Sequence, residues 1–321
     1  MRILVTGGAG FIGSHLVSSL TRDGHAVTVL DNLSSSRTLA NAASFGASVA
    51  LNKCDILDDA KLEEAIDGHE TVYHLAAFTD TTASNTDRAA DLRHGTIAMQ
   101  RLLEAMDHVG VRDLVFPSSQ LVFGAPGAKP HGEEVGPLLP VTLYGASKLA
   151  CEGLVSVYAA SFGFRATILR LANIVGPRQR GGILVDFVRK LSETPGRLEI
   201  LGDGRQTRSY LAVGDCVDAM RHAHALSQPG HASMYHVSND DAISARQIAR
   251  IVAGVAAPGQ HVELITEDRG EGWSGDVPVL QLDNAKLKAT GWRPKASSAE
   301  AVRLAVEWLW SERPATEQHP R

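Results

Sequence analysis

Apolar residues along this chain fall into two alternating rhythms. Short apolar runs at Arg2 to Thr6, Ala26 to Leu30, Ser48 to Asn52, Thr71 to Leu75, Leu114 to Pro117 and Arg165 to Leu171 read as strands. Between them, apolar positions recur at helical spacing over Phe11 to Arg22, Ala60 to Ile66, Arg88 to His108 and Thr142 to Phe162. In the helix predicted over 88–108, Leu92, Met99, Leu102, Leu103 and Met106 are expected on one side. Such alternation predicts an α/β fold, a doubly wound parallel sheet with helices on both faces.

The rhythm breaks after Leu171 at Gly176, Pro177, Gly181 and Gly182. A helix is expected from Ile183 to Leu191 and a strand from Leu198 to Leu201. Tyr210 to Val213 and Asp215 to Leu226 read as a strand and helix returning to the first domain. Beyond Ser238 the elements are shorter, and Ser244 to Gln247 and Ser297 to Glu300 have the form of capping boxes. The expected organisation is one domain of residues 1–171 plus about 210–237, interleaved with a smaller mixed α/β domain of about 172–209 plus 238–312. The polar, Pro-containing tail at 313–321 is expected to be loose.

Composition narrows the classes. The net charge of −5 comes with no long block of one sign, so neither nucleic acid nor an anionic membrane is an expected partner. No stretch reaches the ~18 apolar residues of a membrane span. The first strand begins at Arg2, which leaves no expected room for a signal peptide. Cys54, Cys151 and Cys216 are far apart in predicted core elements and suit reduced thiols. A cytoplasmic protein is the expectation.

The chemistry begins in the first 31 residues. Gly7, Gly8, Gly10 and Gly13 follow the first strand directly and open the first helix, and the second strand ends in Asp31. A dinucleotide needs each part. Glycines permit a tight turn and close approach of the pyrophosphate, and the helix N-terminus offers free N–H groups to phosphate. An acid about 20 residues on can accept from the adenosine ribose. Asp31 would repel a 2′-phosphate, which favours NAD over NADP, and Arg37 reads as a solvated loop residue.

Tyr144 and Lys148 stand four apart near the start of a predicted helix and so share a face. An ammonium beside a phenol stabilises phenolate and makes tyrosine a usable base. Tyrosine and lysine also occur at this spacing on ordinary surface helices. The pair gains weight from Ser119, which ends a predicted strand on the same sheet edge as the glycine turn, where ligands of open α/β sheets bind.

Several motifs together resemble the extended short-chain dehydrogenase/reductases, and within them the NAD-dependent epimerase/dehydratase group acting on nucleotide sugars. They are TGGAGFIGSH, DNLSSS, Cys54-Asp55-Ile56, VYHLAA, PSSQLVFG, YGASK, RLANIVGPRQ, LGDGRQTRSYLAVGDCVDA and GDVPVLQLDNAKLKATGWRP, covering nearly the whole chain. The resemblance implies a Rossmann-type domain with a nucleotide-sugar domain. It implies that Gly7, Gly10, Phe11, Ile12, Gly13, Asp31, Asn32, Asp55, Ile56, Leu75, Ala76 and Ala77, with Tyr144 and Lys148, hold NAD. It assigns Ser119, Gln120, Tyr144, Asn173 and Arg208 to the substrate, with Arg208 on its diphosphate. No metal is implied. The resemblance further implies a homodimer, in which the helices predicted at 88–108 and 142–162 pair between subunits.

By the same resemblance, Tyr144 takes a proton from a sugar hydroxyl, usually at C4, while Lys148 lowers the tyrosine pKa and Ser119 orients the oxygen. Departures narrow the reaction. Dehydratases of the group carry Asp-Glu after the serine position, and sugar-acid decarboxylases usually a glutamate. This chain has Gln120 and Leu121, so C4 epimerisation of a UDP-glucose/UDP-galactose type of hexose is favoured. Leu92 replaces a usual asparagine and Phe123 a usual tyrosine. Trp273 stands where many epimerases have arginine, and Arg269 is a candidate to replace it on the diphosphate. The alternatives are a ketoreductase, dehydratase or decarboxylase on the same scaffold, or a non-catalytic NAD(P)-sensing regulator.

Overall fold

The computed structural model describes residues 1–78, 87–124, 130–267 and 279–313. In order, the chain forms β1 (Arg2–Thr6), α1 (Phe11–Arg22), β2 (Ala26–Asp31), α2 (Ser36–Ala43), β3 (Val49–Lys53), α3 (Asp59–Ile66) and β4 (Thr71–His74). A π-helical turn (Leu92–Ile97) runs into α4 (Ala98–His108), followed by β5 (Asp113–Ser119), a 3₁₀ turn (Gln120–Phe123), α5 (Leu143–Phe162) and β6 (Arg165–Leu171). Then come β7 (Asn173–Val175), α6 (Ile183–Glu193), β8 (Arg197–Ile200), β9 (Thr207–Arg208), β10 (Tyr210–Ala212), α7 (Val213–Leu226) and β11 (Ala232–Val237). The last elements are β12 (Ile243–Ser244), α8 (Ala245–Ala256), β13 (Glu263–Thr266), β14 (Val279–Leu280), α9 (Ala285–Ala289) and α10 (Ser298–Ser311).

The chain divides into two compact units. The first takes the described residues among 1–124, 133–171 and 217–236, and the second those among 125–132, 172–216 and 237–321. The first unit is built on a seven-stranded parallel sheet in the order β3-β2-β1-β4-β5-β6-β11. Strand order reverses between β1 and β4, the kind of point at which open α/β sheets bind ligands. Thr6 at the end of β1 is level with Leu30 on one side and His74 on the other. Met99, Leu102, Leu103 and Met106 of α4 and Val155 of α5 are buried against Leu4, Val72 and Phe116 of the sheet.

One expected helix differs. Residues 88–108 do not keep one helical register, because the turn over Leu92–Ile97 is π-helical. A π turn holds an extra residue, so side chains before it are rotated relative to those after it. Leu92, expected on the apolar side, is 52% exposed.

The sheet also buries charge. Arg170 of β6 forks onto Glu152 of α5, Nε to Oε1 at 3.0 Å and a terminal nitrogen to Oε2 at 2.8 Å. Their side chains are 3% and 5% exposed. Ser118 Oγ donates to the same Glu152 Oε1 at 2.5 Å, and the Arg170 guanidinium lies 5.0 Å from the Phe123 ring centroid.

In the second unit β10 pairs in parallel with β7, β9 lies between β12 and β14, and β13 pairs with β8. Its core joins α6, α8 and α10. Residues 210–216, expected with the first domain, group here because Tyr210 to Ala212 pair with Asn173 to Val175. The unit boundary therefore falls inside α7. Ser244 and Ser297 cap α8 and α10, accepting from the N–H groups of Gln247 and Glu300. Among the described residues no helix is long and apolar enough to cross a membrane. Of the tail, residues 314–321 lie outside the described residues.

Replacing Glu152 by Leu leaves a buried guanidinium without its counter-charge. Glu152→Leu is expected to cost about 3–5 kcal/mol in urea unfolding, with much of the loss recovered in the double variant Glu152→Leu/Arg170→Leu. A single variant as stable as the parent would show the pair to be energetically idle.

Candidate functional site

The turn after β1 is set by close backbone approach. Gly7 has φ +65° and packs so tightly on the segment after β4 that an added Cβ would stand 2.5 Å from the Ala76 nitrogen. A Cβ on Gly13 would stand 2.3 Å from the Gly7 carbonyl oxygen. Gly10 is the N-cap of α1 and supplies no side-chain acceptor. The N–H groups of the first turn, from Phe11, Ile12 and Gly13, are thus left uncapped by side chains, the arrangement that receives phosphate.

Asp31 ends β2 beside this turn. Its Oδ2 accepts from the Ala9 N–H at 3.1 Å and its Oδ1 from the Leu33 N–H at 2.9 Å. Burial raises its pKa above the ordinary carboxylate value, against the lowering effect of those two hydrogen bonds. Each oxygen keeps a further lone pair for a hydroxyl donor. Asn32 Nδ2 donates to Asp55 Oδ2 at 3.1 Å, which ties the ends of β2 and β3 together. Burial works to raise the Asp55 pKa, but the Leu57 N–H and Asn32 hold it below the usual range. Ile56 is buried in the core. Leu75, Ala76 and Ala77 follow β4, where the Leu75 N–H donates to the Thr6 carbonyl at 2.9 Å. The residues present fit a dinucleotide: a close-packed glycine turn, a helix start without a cap, and an acid at the adjoining strand end.

Tyr144 and Lys148 lie on α5, whose start is capped by Thr142 Oγ1 accepting from the Gly145 N–H. They line one small cavity with Ala77, Phe78, Asp91, Gly95 and Ser147. Lys148 is buried, donates to the Pro117 carbonyl at 2.9 Å and lies 4.6 Å from the Phe116 ring centroid. Its nitrogen is 5.7 Å from the Tyr144 ring centroid. Burial pushes the Lys148 pKa down to about 8, and the charges of Cys151 and Glu152 oppose that shift. The Tyr144 pKa is pushed up, first by burial and then by the charges of Asp91 and Cys151. Both shifts work against a phenolate–ammonium pair in this site.

Ser119 ends β5, and its Oγ accepts from the Leu121 N–H at 3.2 Å as the cap of the 3₁₀ turn. Gln120 opens that turn and is buried. Asn173 begins β7 opposite Tyr210, and Arg208 lies on β9 opposite Ile243 and Leu280, all within the second unit. Arg269 and Trp273 lie outside the described residues. Asp91, Gly95 and Ser147 line the cavity although sequence reasoning passed over them. Only the spacing of Ser147 to Lys148 within YGASK pointed that way.

The comparisons with known proteins agree in kind. The model of the NAD dependent epimerase/dehydratase family matches residues 3–237. A UDP-glucose 4-epimerase of Mycolicibacterium smegmatis is 34% identical over 96% of this chain and 98% of its own. A UDP-glucuronic acid decarboxylase of Xenopus tropicalis is 28% identical over 97% of this chain and 72% of its own. Among solved structures, a UDP-galactose 4-epimerase superposes with a TM-score of 0.84 at 38% identity, covering 97% of this chain and 99% of that one. A Thermus thermophilus UDP-glucose 4-epimerase in complex with NAD gives 0.80 at 32% identity, covering 98% and 100%.

The glycine turn yields a direct test. Gly13→Ala forces apart α1 and the turn, and is expected to lose about 1–3 kcal/mol of stability together with dinucleotide binding, read by thermal unfolding and calorimetry. Unchanged NAD affinity would separate the turn from the ligand.

Proposed function

Because the chain belongs to the NAD dependent epimerase/dehydratase family, we propose that within it this protein inverts C4 of a nucleotide-diphosphate hexose of the UDP-glucose/UDP-galactose type. The observation that carries this reading is the cavity shared by Tyr144 and Lys148, taken with Gln120 and Leu121 in place of the acids that elimination or decarboxylation would use. Tyr144 removes the proton from the C4 hydroxyl, and Lys148 stabilises the phenolate once the site is filled. NAD, when bound, supplies a reversible two-electron acceptor for C4. Ser119 holds the oxygen while the carbon is a ketone. After the 4-keto sugar turns over, Tyr144 returns the same proton to O4, so atoms and electrons balance over a cycle. Asp31 favours NAD over NADP by repelling a 2′-phosphate. Asn173, Arg208 and Arg269 are our candidates for the sugar and its diphosphate, with Arg208 offering a planar fork for phosphate oxygens.

We further infer a homodimer. Ile97 and Leu92 beside α4, and Leu143, Val157 and Phe162 on α5, are exposed, and these are the helices the resemblance pairs between subunits. Static light scattering at micromolar concentration is expected to return twice the chain mass, and a monomer would remove this part.

The activity is tested by NMR of a panel of UDP-sugars incubated with the protein and no added cofactor. A new C4 epimer with its C4 hydrogen retained in D₂O is expected. Tyr144→Phe is expected to fold normally and to lose about 10²–10⁴-fold in rate. Deuterium entering C5, or near-normal turnover in Tyr144→Phe, would overturn the mechanism.

A further inference from the structure

Asp91 precedes the π-helical turn, and it is only 3% exposed where its neighbour Leu92 is 52% exposed. Its Oδ2 is shut off from solvent and has no hydrogen-bond partner among the described residues. The residue lines the same cavity as Tyr144 and Lys148. A buried carboxylate oxygen left without a donor is costly, yet the surrounding packing holds it there. The Asp91 carbonyl accepts from Ser147 Oγ at 2.8 Å, which fastens the turn to α5 beside Tyr144 and Lys148. Thr96 Oγ1 lies 3.2 Å from the same Ser147 Oγ. Gly95 allows this approach, since a Cβ there would stand 2.0 Å from Ser147 Oγ. The extra residue of the π turn thus goes with a buried acid at the cavity and an exposed leucine beside it.

Resting on the reading of Tyr144 as the acid/base, we propose that Asp91 is a positioning residue of that pair, whose carboxylate at the shared cavity sets how firmly the Tyr144 oxygen holds its proton. Epimerisation gives this a purpose. One oxygen must take a proton and give the same proton back, which works best when neither form is strongly favoured. Lys148 favours the phenolate and Asp91 the phenol. The ionisable groups facing Tyr144 are Asp91 from the turn and Lys148 and Cys151 from α5. Glu152 acts on Lys148 from the same helix, and His94 stacks on Phe78 of the cavity wall at 6.1 Å between ring centroids. Ala77, Phe78 and Gly95 add no charge.

The test is a pH titration of the NAD-loaded protein carrying ¹³Cζ-tyrosine. Tyr144 is assigned among the five tyrosines by its loss in Tyr144→Phe. Asp91→Asn keeps the shape and removes the charge, and it is expected to lower the Tyr144 midpoint by about one pH unit. Asp91→Glu is expected to leave it nearly in place. Where Asp91→Asn does not fold, Asp91→Ser makes the same comparison. A midpoint unmoved by the neutral variant overturns the proposal, as does a Tyr144 signal that stays fixed in both proteins between about pH 6 and 10. The readout involves no sugar and no turnover. A shifted midpoint in a protein that epimerises nothing would refute the C4 reading and leave the Asp91 assignment standing.

Discussion

The register of α5 on the sheet is the constraint from which the geometry at the strand ends follows. Successive turns of this helix are fastened by buried polar side chains. Ser147 donates to the Asp91 carbonyl, Lys148 to the Pro117 carbonyl, and Glu152 receives both Ser118 and Arg170. Each contact taken alone contributes only about 0.5–3 kcal/mol. Their collective effect is specificity. Sliding or rotating α5 by one residue would strand an ammonium, a carboxylate and a guanidinium in the interior, a far larger cost. Tyr144 therefore inherits its place from residues that do no chemistry, and Ser119 inherits its place from Ser118, its immediate neighbour on β5.

Much of this architecture was legible because most first-unit strands and helices carry a clean period. The sheet strands are short apolar runs, and serines at 244 and 297 announce the helices they cap. The glycine turn was legible because close approach demands glycine, as Gly7 and Gly13 illustrate. What escaped lacks a local signature. The helix α2 buries none of its residues, so no apolar stripe marks it. The strands β9, β12 and β14 are two residues each, too short for a period to develop. The pairing of Glu152 with Arg170 joins residues from different elements, and nothing in either segment names the other. The π turn was hidden because Met99, Leu102, Leu103 and Met106 keep an ordinary helical rhythm after it. One inserted residue upstream alters only which of Asp91 and Leu92 points inward, and the apolar one was the natural choice.

The edge position of β11 bears on how the protein is made. Its partner β6 ends at Leu171, yet β11 begins only at Ala232, after the whole 172–216 stretch of the second unit and the rest of α7. At bacterial or eukaryotic translation speeds that interval lasts seconds. During it, β6 emerges as a bare sheet edge whose residues after Arg165 are all destined for burial. Unpaired apolar edges recruit other chains, so the nascent protein is most exposed to polysome-borne aggregation in this window. Expression yield should accordingly respond to codon choice between β6 and β11 more than to codon choice after β11, when the edge has been closed.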